Sequence, residues 1–147
     1  MGTLSLPASG RVYVDANTVI YAVEKIDPYA PLLAPLWTAA HAGQLEIATS
    51  ELTWLETLTK PMRDGDAALE KLFRAFLTAR EVSMIHATLP IWEQAARHRG
   101  LGLKTPDALH AATGLASAVR CFSPTMRASS ASAGWLPVTL LSVVLAS

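Results

Sequence analysis

The sequence contains a single cysteine, few charged residues and no long apolar run. One cysteine, Cys121, excludes an internal disulfide and is typical of the reducing cytosol, so we expect a cytoplasmic location. Apolar residues make up 51% of the chain and charged residues 16%, a balance that excludes disorder. The apolar run at 136–146 is shorter than the roughly 20 residues that a membrane helix needs. We therefore expect a globular protein with no membrane segment.

Several common catalytic motifs are also absent. There is no glycine-rich phosphate loop, because Gly100 and Gly102 are not followed by a third glycine at the required spacing. One cysteine and four scattered histidines offer no zinc-ligand spacing. The formal net charge is zero, so any basic patch for nucleic acid must be local. This leaves the acidic residues as the main candidates for chemistry.

Short apolar runs alternate along the chain with segments of helical periodicity. The predicted strands are 11–14, 45–48, 82–85, 119–122 and 138–141. The predicted helices are one from Asn17 to a turn near Asp27-Pro28, then 29–42, 52–62, 67–77, 90–99 and 105–117. This alternation predicts a single α/β domain over 11–147, with a parallel sheet wrapped by helices, after a flexible N-terminus over 1–10.

Asp15 directly follows the apolar run Arg11-Val-Tyr-Val14 and precedes the first helix. Open parallel sheets bind ligands in the turns after the carboxyl ends of their strands. Asp15 is therefore a candidate metal ligand, with Asn17 or Thr18 orienting it. An aspartate before an apolar-periodic helix is also a common N-cap, and taken alone this interpretation is the more frequent one.

Glu56 also admits two interpretations. It could be a metal ligand, or it could complete a capping box with Thr53, in which a glutamate at the third helical position bonds back to the cap. Glu51 competes with it as a ligand. However, Glu51 fits the first turn of a helix beside Ser50, where the helix dipole favours an acid.

Asp107 lies in the segment Lys104-Thr-Pro-Asp-Ala-Leu-His110. Thr105 could cap this helix and Pro106 could occupy its first position, so that the helix dipole would favour Asp107 in the first turn. His110, one turn further on, could face the same site, although a histidine in an alanine-rich helix is more often packed or hydrogen-bonded. Three carboxylates together suit a hard cation such as Mg²⁺ or Mn²⁺.

Three segments together resemble the PIN-domain nucleases, specifically the VapC-type toxins of bacterial toxin–antitoxin pairs. They are Val14-Asp-Ala-Asn-Thr-Val-Ile20, Thr49-Ser-Glu-Leu-Thr-Trp-Leu-Glu-Thr-Leu58 with Lys60-Pro61, and Lys104-Thr-Pro-Asp-Ala-Leu-His-Ala-Ala112. The resemblance spans Arg11 to Leu141. It implies a three-layer α/β/α PIN-like domain with a central, mostly parallel sheet, and a ribonuclease dependent on Mg²⁺ or Mn²⁺. By position, the family's catalytic, metal-binding acids correspond to Asp15, Glu56 and Asp107.

The chain departs from the family pattern after the fourth predicted strand. The family usually has a fourth acid there, in a segment resembling Phe-Leu-Thr-Asn-Asp, whereas this chain has Phe122-Ser-Pro-Thr-Met126 and no acid after Asp107. We therefore expect weakened metal binding and reduced activity. Suitable codons for 122–129, read one nucleotide out of phase, spell Leu-Thr-Asn-Asp-Ala-Arg-Phe. We therefore hypothesise that 122–134 is a frame-shifted remnant.

Two alternative functions stay open. One is a catalytically inactive PIN domain that binds an antitoxin or RNA, which the missing fourth acid favours. The other, the least favoured, is a phosphatase of the haloacid-dehalogenase type, because Asp15-Ala-Asn-Thr18 resembles an aspartate nucleophile loop. That family has a second aspartate where this chain has Asn17.

The resemblance also implies an RNA substrate, a cognate antitoxin protein and a homodimer. An apolar groove for a partner helix could be formed by residues of the first two predicted helices, namely Tyr21, Leu32, Leu33, Leu36 and Trp37. Ordinary core packing explains these residues equally well. Candidates for phosphate contacts are the basic residues Lys60, Arg63, Arg97, Arg99 and Lys104.

Overall fold

The computed structural model describes Leu6, residues 10–116 and the backbone of residues 120–122. The strands in this part of the chain are β1 (Gly10–Val14), β2 (Leu45–Ser50), β3 (Val82–Ile85) and β4 (Arg120–Phe122). The helices are α1 (Ala16–Val23), α2 (Tyr29–His41), α3 (Glu51–Asp64), α4 (Ala67–Leu77), α5 (Leu89–Gly100) and α6 (Thr105–Ala116). The strand predicted at 138–141 and most of the expected flexible N-terminus lie outside the described residues.

The strands form a parallel sheet in the order β3-β2-β1-β4. Val12 pairs with Ile47 on one side and with Arg120 on the other, and Ile47 pairs in turn with Val82. The chain moves outward from β1 to β3 and then returns to the far side of β1. The topological switch point therefore lies between β1 and β4, so Asp15 stands where such sheets bind ligands.

Helices cover both faces of the sheet. Val12, Tyr13 and Val14 are all buried, although neighbouring strand residues point to opposite faces. The Tyr13 hydroxyl reaches His110 of α6, which places α6 on one face of β1. Val14 belongs to the main core together with Phe73 of α4. The predicted three-layer α/β/α fold with a parallel sheet is confirmed.

The start of α3 differs from the prediction. The helix begins at Glu51 rather than at residue 52, and the hydroxyl of Ser50 caps it by accepting a bond from the backbone N–H of Leu52 at 3.0 Å. Glu56 is consequently the sixth residue of the helix. The capping box between Thr53 and Glu56 was therefore wrong, whereas Glu51 does lie in the first turn. Thr105 is likewise the first residue of α6 rather than a cap before it.

The apolar residues of α1 and α2 contribute mainly to the protein's own core. Leu33 and Leu36 are 3% and 0% exposed, so the expectation that they line a groove for a partner helix was wrong. Trp37 meets Phe76 of α4 edge to face at 5.1 Å, and Tyr21 packs partly against the same core. Among the described residues, no helix is long and apolar enough to cross a membrane.

Candidate metal-binding site at the carboxyl edge of the sheet

Asp15 is held rigidly at the end of β1. Its Oδ1 atom accepts a hydrogen bond from the backbone N–H of Thr18 at 3.0 Å and another from the Thr18 hydroxyl at 2.8 Å. The residue is only 2% exposed and caps α1. The N-cap interpretation is thus confirmed, and Thr18 orients the carboxylate. Capping does not compete with a ligand role, because one carboxylate has about four lone-pair positions.

A buried hydroxyl network joins the ends of β1 and β2 to α3. The Thr49 hydroxyl donates to the carbonyl oxygen of Val14 at 2.8 Å, and it lies 2.7 Å from the Thr53 hydroxyl. Each hydroxyl carries a single proton, so Thr53 must be the donor in the second bond. The network fixes the backbone that carries Asp15 against the helix that carries Glu56.

Glu56 is linked to His110 of α6. Its Oε2 atom lies 2.9 Å from Nε2 of His110, and the other ring nitrogen, Nδ1, lies 2.7 Å from the Tyr13 hydroxyl. When Glu56 is ionised it can only accept, so Nε2 carries a proton. With a neutral ring, Nδ1 then accepts from Tyr13. His110 therefore belongs to the site through a hydrogen bond to Glu56.

Asp107 lies within electrostatic reach of both other candidate acids. Burial raises its pKa above the usual range, and the negative charges of Asp15 and Glu56 raise it further. His110 and Lys104 act in the opposite direction but more weakly than burial. Asp107 on α6 therefore feels the charge of Asp15 at the end of β1 and the charge of Glu56 on α3.

The donor set suits a hard divalent cation without forming a closed cage. Within the described part of the chain, no three His, Cys, Asp or Glu side chains are grouped tightly enough to hold a metal by themselves. Mg²⁺ usually keeps several waters and is bound by only one or two carboxylates, so a closed cage is not required. Burial raises the pKa of Asp107 most, and a cation would relieve the further rise that the charges of Asp15 and Glu56 cause. The three carboxylates supply the oxygen donors that such an ion prefers, but they do not form a tight three-ligand group.

Glu51, the competing candidate, makes its contacts with the segment after β3. Its carboxylate accepts a 2.6 Å hydrogen bond from the backbone N–H of Ala87 and lies 3.2 Å from Nδ1 of His86. These contacts lower the pKa of Glu51, the Ala87 bond most strongly. Glu51 therefore fastens the segment between β3 and α5.

Most of the candidate phosphate-binding residues make hydrogen bonds away from the three acids. Four of them make hydrogen bonds elsewhere in the domain: Lys60 to Glu24, Arg63 to Asp64, Arg97 to Gln94 and Arg99 to the Leu103 carbonyl. Lys104 differs, because it precedes Asp107 by three residues and its charge lowers the pKa of Asp107. It is the basic candidate that the structure associates with the site.

The sequence interpretation overlooked Tyr13 and Thr49 as site residues. Tyr13 is 1% exposed on the central strand, where a phenol hydroxyl requires a hydrogen-bond partner. That requirement was the available signal, but the partner lies 97 residues away on α6. Thr49 gave the same signal, because it is a polar residue at the end of a predicted buried strand and so also requires a hydrogen-bond partner.

An open α/β domain with an acidic cluster at its switch point defines the class of protein. The family model of the PIN domain matches residues 12–123. The chain therefore belongs to the PIN-domain family. No curated protein sequence matches it.

Solved structures with a similar fold include VapC-type toxins. VapC20 of Mycobacterium tuberculosis, described as a toxin that cleaves the sarcin–ricin loop, has a TM-score of 0.63 and 20% identity, covering 86% of this chain and 98% of that one. VapBC2 of Rickettsia felis, bound to a DNA fragment from its promoter, has a TM-score of 0.58 and 17% identity over 76% and 85% of the two chains. A toxin–antitoxin complex from Klebsiella pneumoniae has a TM-score of 0.56 and 22% identity over 75% and 82%. At these identities the likeness concerns the fold.

Proposed function

We propose that this PIN domain is a Mg²⁺- or Mn²⁺-dependent endoribonuclease, the toxin of a toxin–antitoxin pair. The observation that carries the proposal is that Asp107, whose pKa burial raises most, also feels the charges of Asp15 at the switch point and of Glu56 on α3, which raise its pKa further. An uncompensated acidic cluster destabilises the fold, so it is best explained by a cation. The family and the activity described for the Mycobacterium tuberculosis relative point to RNA as substrate.

In this proposal each acid has a defined task. Asp15, fixed by Thr18, and Asp107, on the first turn of α6, hold the cation, with Glu56 completing the site. When bound, the cation stabilises charge on the scissile phosphate and lowers the pKa of the attacking water. Lys104, whose charge acts on Asp107, is the candidate to bind a neighbouring phosphate of the RNA.

A second candidate function is an inactive PIN domain that binds an antitoxin or RNA. The observation in its favour is the lack of an acid after Asp107 in the sequence. The two functions share their expected partners. Similar folds occur in toxin–antitoxin complexes, so we infer a cognate antitoxin. A homodimer and a cytoplasmic location remain predictions from the sequence.

The deciding experiment is cleavage of an RNA panel that includes transfer and ribosomal RNA, with Mn²⁺ or Mg²⁺ and with EDTA. Asp15→Asn should abolish cleavage. The matched control is Asp66→Asn, because Asp66 caps α4 through the same kind of bond, accepted from the Leu69 N–H at 3.0 Å. That variant should cleave like the wild type.

Each result assigns one function. Cleavage that is lost with EDTA and with Asp15→Asn supports the nuclease. Mn²⁺ binding or RNA binding without cleavage supports the inactive module. Cleavage that persists in EDTA, or in Asp15→Asn, would show that the acidic cluster is not the active site.

A further inference from the structure

Tyr13 and His110 form a buried chain of hydrogen bonds that ends on Glu56. It runs from the Tyr13 hydroxyl on β1, through the His110 ring on α6, to the Glu56 carboxylate on α3, with contacts of 2.7 and 2.9 Å. Tyr13 is 1% exposed and His110 is 3% exposed, whereas the Glu56 side chain is 29% exposed. These hydrogen bonds therefore connect the interior of the protein to the partly exposed Glu56 carboxylate.

The contacts of the His110 ring within this series of hydrogen bonds fix its orientation. The Tyr13 and His110 rings meet edge to face with centroids 5.9 Å apart, and both ring nitrogens are engaged at once. A rigid ring held at both ends presents Nε2–H in one direction. The long glutamate side chain, which would otherwise sample several rotamers, is thereby held in one of them.

The position of His110 on α6 links this chain to a second acid. Asp107 and His110 are three residues apart and so lie on one face of the helix. One helix face thus carries a candidate cation ligand and the group that orients another, Glu56, across the site. Histidines and their partners commonly act in this way behind metal ligands.

We propose that Tyr13 and His110 are positioning residues that fix the Glu56 carboxylate for the divalent cation. This inference rests on the proposed function, since it assumes that Glu56 serves a cation. Neither residue touches the cation or the substrate. Through the bond to Oε2 they would hold the Glu56 carboxylate in one orientation for a bound cation.

The test is a double-mutant cycle read out by Mn²⁺ binding to the EDTA-stripped full chain in calorimetry. Tyr13→Phe keeps the buried ring and removes only the hydroxyl. Disturbing such outer contacts commonly costs 10- to 100-fold in metal affinity, so we expect Tyr13→Phe to weaken Mn²⁺ binding about tenfold. His110→Leu should weaken it at least as much. In the Glu56→Ala background, Tyr13→Phe should change the affinity by less than about twofold.

The matched control is Thr57→Val. Thr57 is buried, follows Glu56 on α3 and donates a 2.7 Å bond to the Thr53 carbonyl, so the variant also loses a buried hydroxyl. It should lower thermal stability without changing Mn²⁺ affinity. Circular dichroism confirms that each variant is folded. Should His110→Leu not fold, the cycle with Tyr13→Phe remains decisive.

The outcomes separate this inference from the proposed function. Loss of affinity in Tyr13→Phe that disappears in Glu56→Ala supports the positioning role. The positioning role is overturned if Tyr13→Phe weakens Mn²⁺ binding equally in the wild-type and Glu56→Ala backgrounds, or in neither. In that case the nuclease proposal still holds, provided that the wild type cleaves RNA in the presence of Mn²⁺. A wild-type chain that neither binds Mn²⁺ nor cleaves RNA refutes the nuclease and the positioning role together.

Discussion

The substitution Thr49→Val tests whether buried hydroxyls hold the end of β1 in place. Valine has nearly the same shape as threonine but lacks the hydroxyl, so packing changes little. The loss leaves the Val14 carbonyl without its 2.8 Å donor and the Thr53 hydroxyl without its 2.7 Å acceptor. Both Thr49 and Thr53 are 0% exposed, so water cannot readily replace either partner.

The expected cost follows from counting these buried groups. A buried donor or acceptor left without a partner costs about 1–3 kcal/mol, and Thr49→Val creates two of them. We therefore expect the free energy of unfolding to fall by about 2–6 kcal/mol. For a domain of this size, each kcal/mol lowers the midpoint of thermal unfolding by about 2–4 °C. Urea titrations followed by circular dichroism would show a lower midpoint with an unchanged slope.

Two further variants make the result decisive. Thr53→Val in the Thr49→Val background removes the orphaned hydroxyl, so the double variant should be no less stable than Thr49→Val alone. The control Thr59→Val removes an exposed hydroxyl from the same helix and should change stability by less than about 0.5 kcal/mol. Additive losses for Thr49 and Thr53, or a cost for Thr49→Val as small as the control's, would refute the network.

The remaining predictions concern charge, core packing and the missing acid. Folding raises the pKa of Asp107, so the contribution of this group to stability falls as the pH rises from its unfolded pKa through its folded pKa. In EDTA, the stability of Asp107→Asn relative to the wild type should therefore increase across that pH range. A difference independent of pH in urea titrations would contradict this assignment. Phe73→Ala, which empties a site 1% exposed in the core, should cost about 3–5 kcal/mol in the same assay. Calorimetry should find one Mn²⁺ per wild-type chain, and Met126→Asp should tighten that binding; unchanged affinity would show that residue 126 does not reach the site.

The elements that the sequence predicted well have their signals nearby. Asp66 accepts a bond from the Leu69 N–H at the start of α4, and the apolar residues that follow recur at helical spacing, so both bounds of this helix were predicted. At α3 two capping residues compete, Ser50 and Thr53. The choice depends on β2 extending to Ser50, which pairs with Ile85 of β3. Such a distant pairing cannot be deduced from local spacing.

The site shows the same division between local and distant information. Asp15 at the end of a predicted strand and Asp107 in the first turn of a predicted helix had local signals, whereas Glu56 was singled out mainly by the family resemblance; their joint role as metal ligands stays a prediction. The bond between Glu56 and His110 spans 54 positions and depends on how α3 packs against α6. Sequence spacing predicted the acids, whereas the groups that orient them required the packed structure.

The charge balance of the site explains what the missing fourth acid should change. Three carboxylates and the nearby ammonium of Lys104 leave two formal negative charges, which one divalent cation neutralises. A fourth carboxylate would add charge suited to tighter binding or to a second ion, so its loss should weaken the site without removing it. The PIN match ends at residue 123, where the departing segment begins. If the gene's codons for 122–129 cannot encode Asn-Asp out of phase, the frame-shift hypothesis is wrong, and an in-frame change must then account for the absence of the fourth acid.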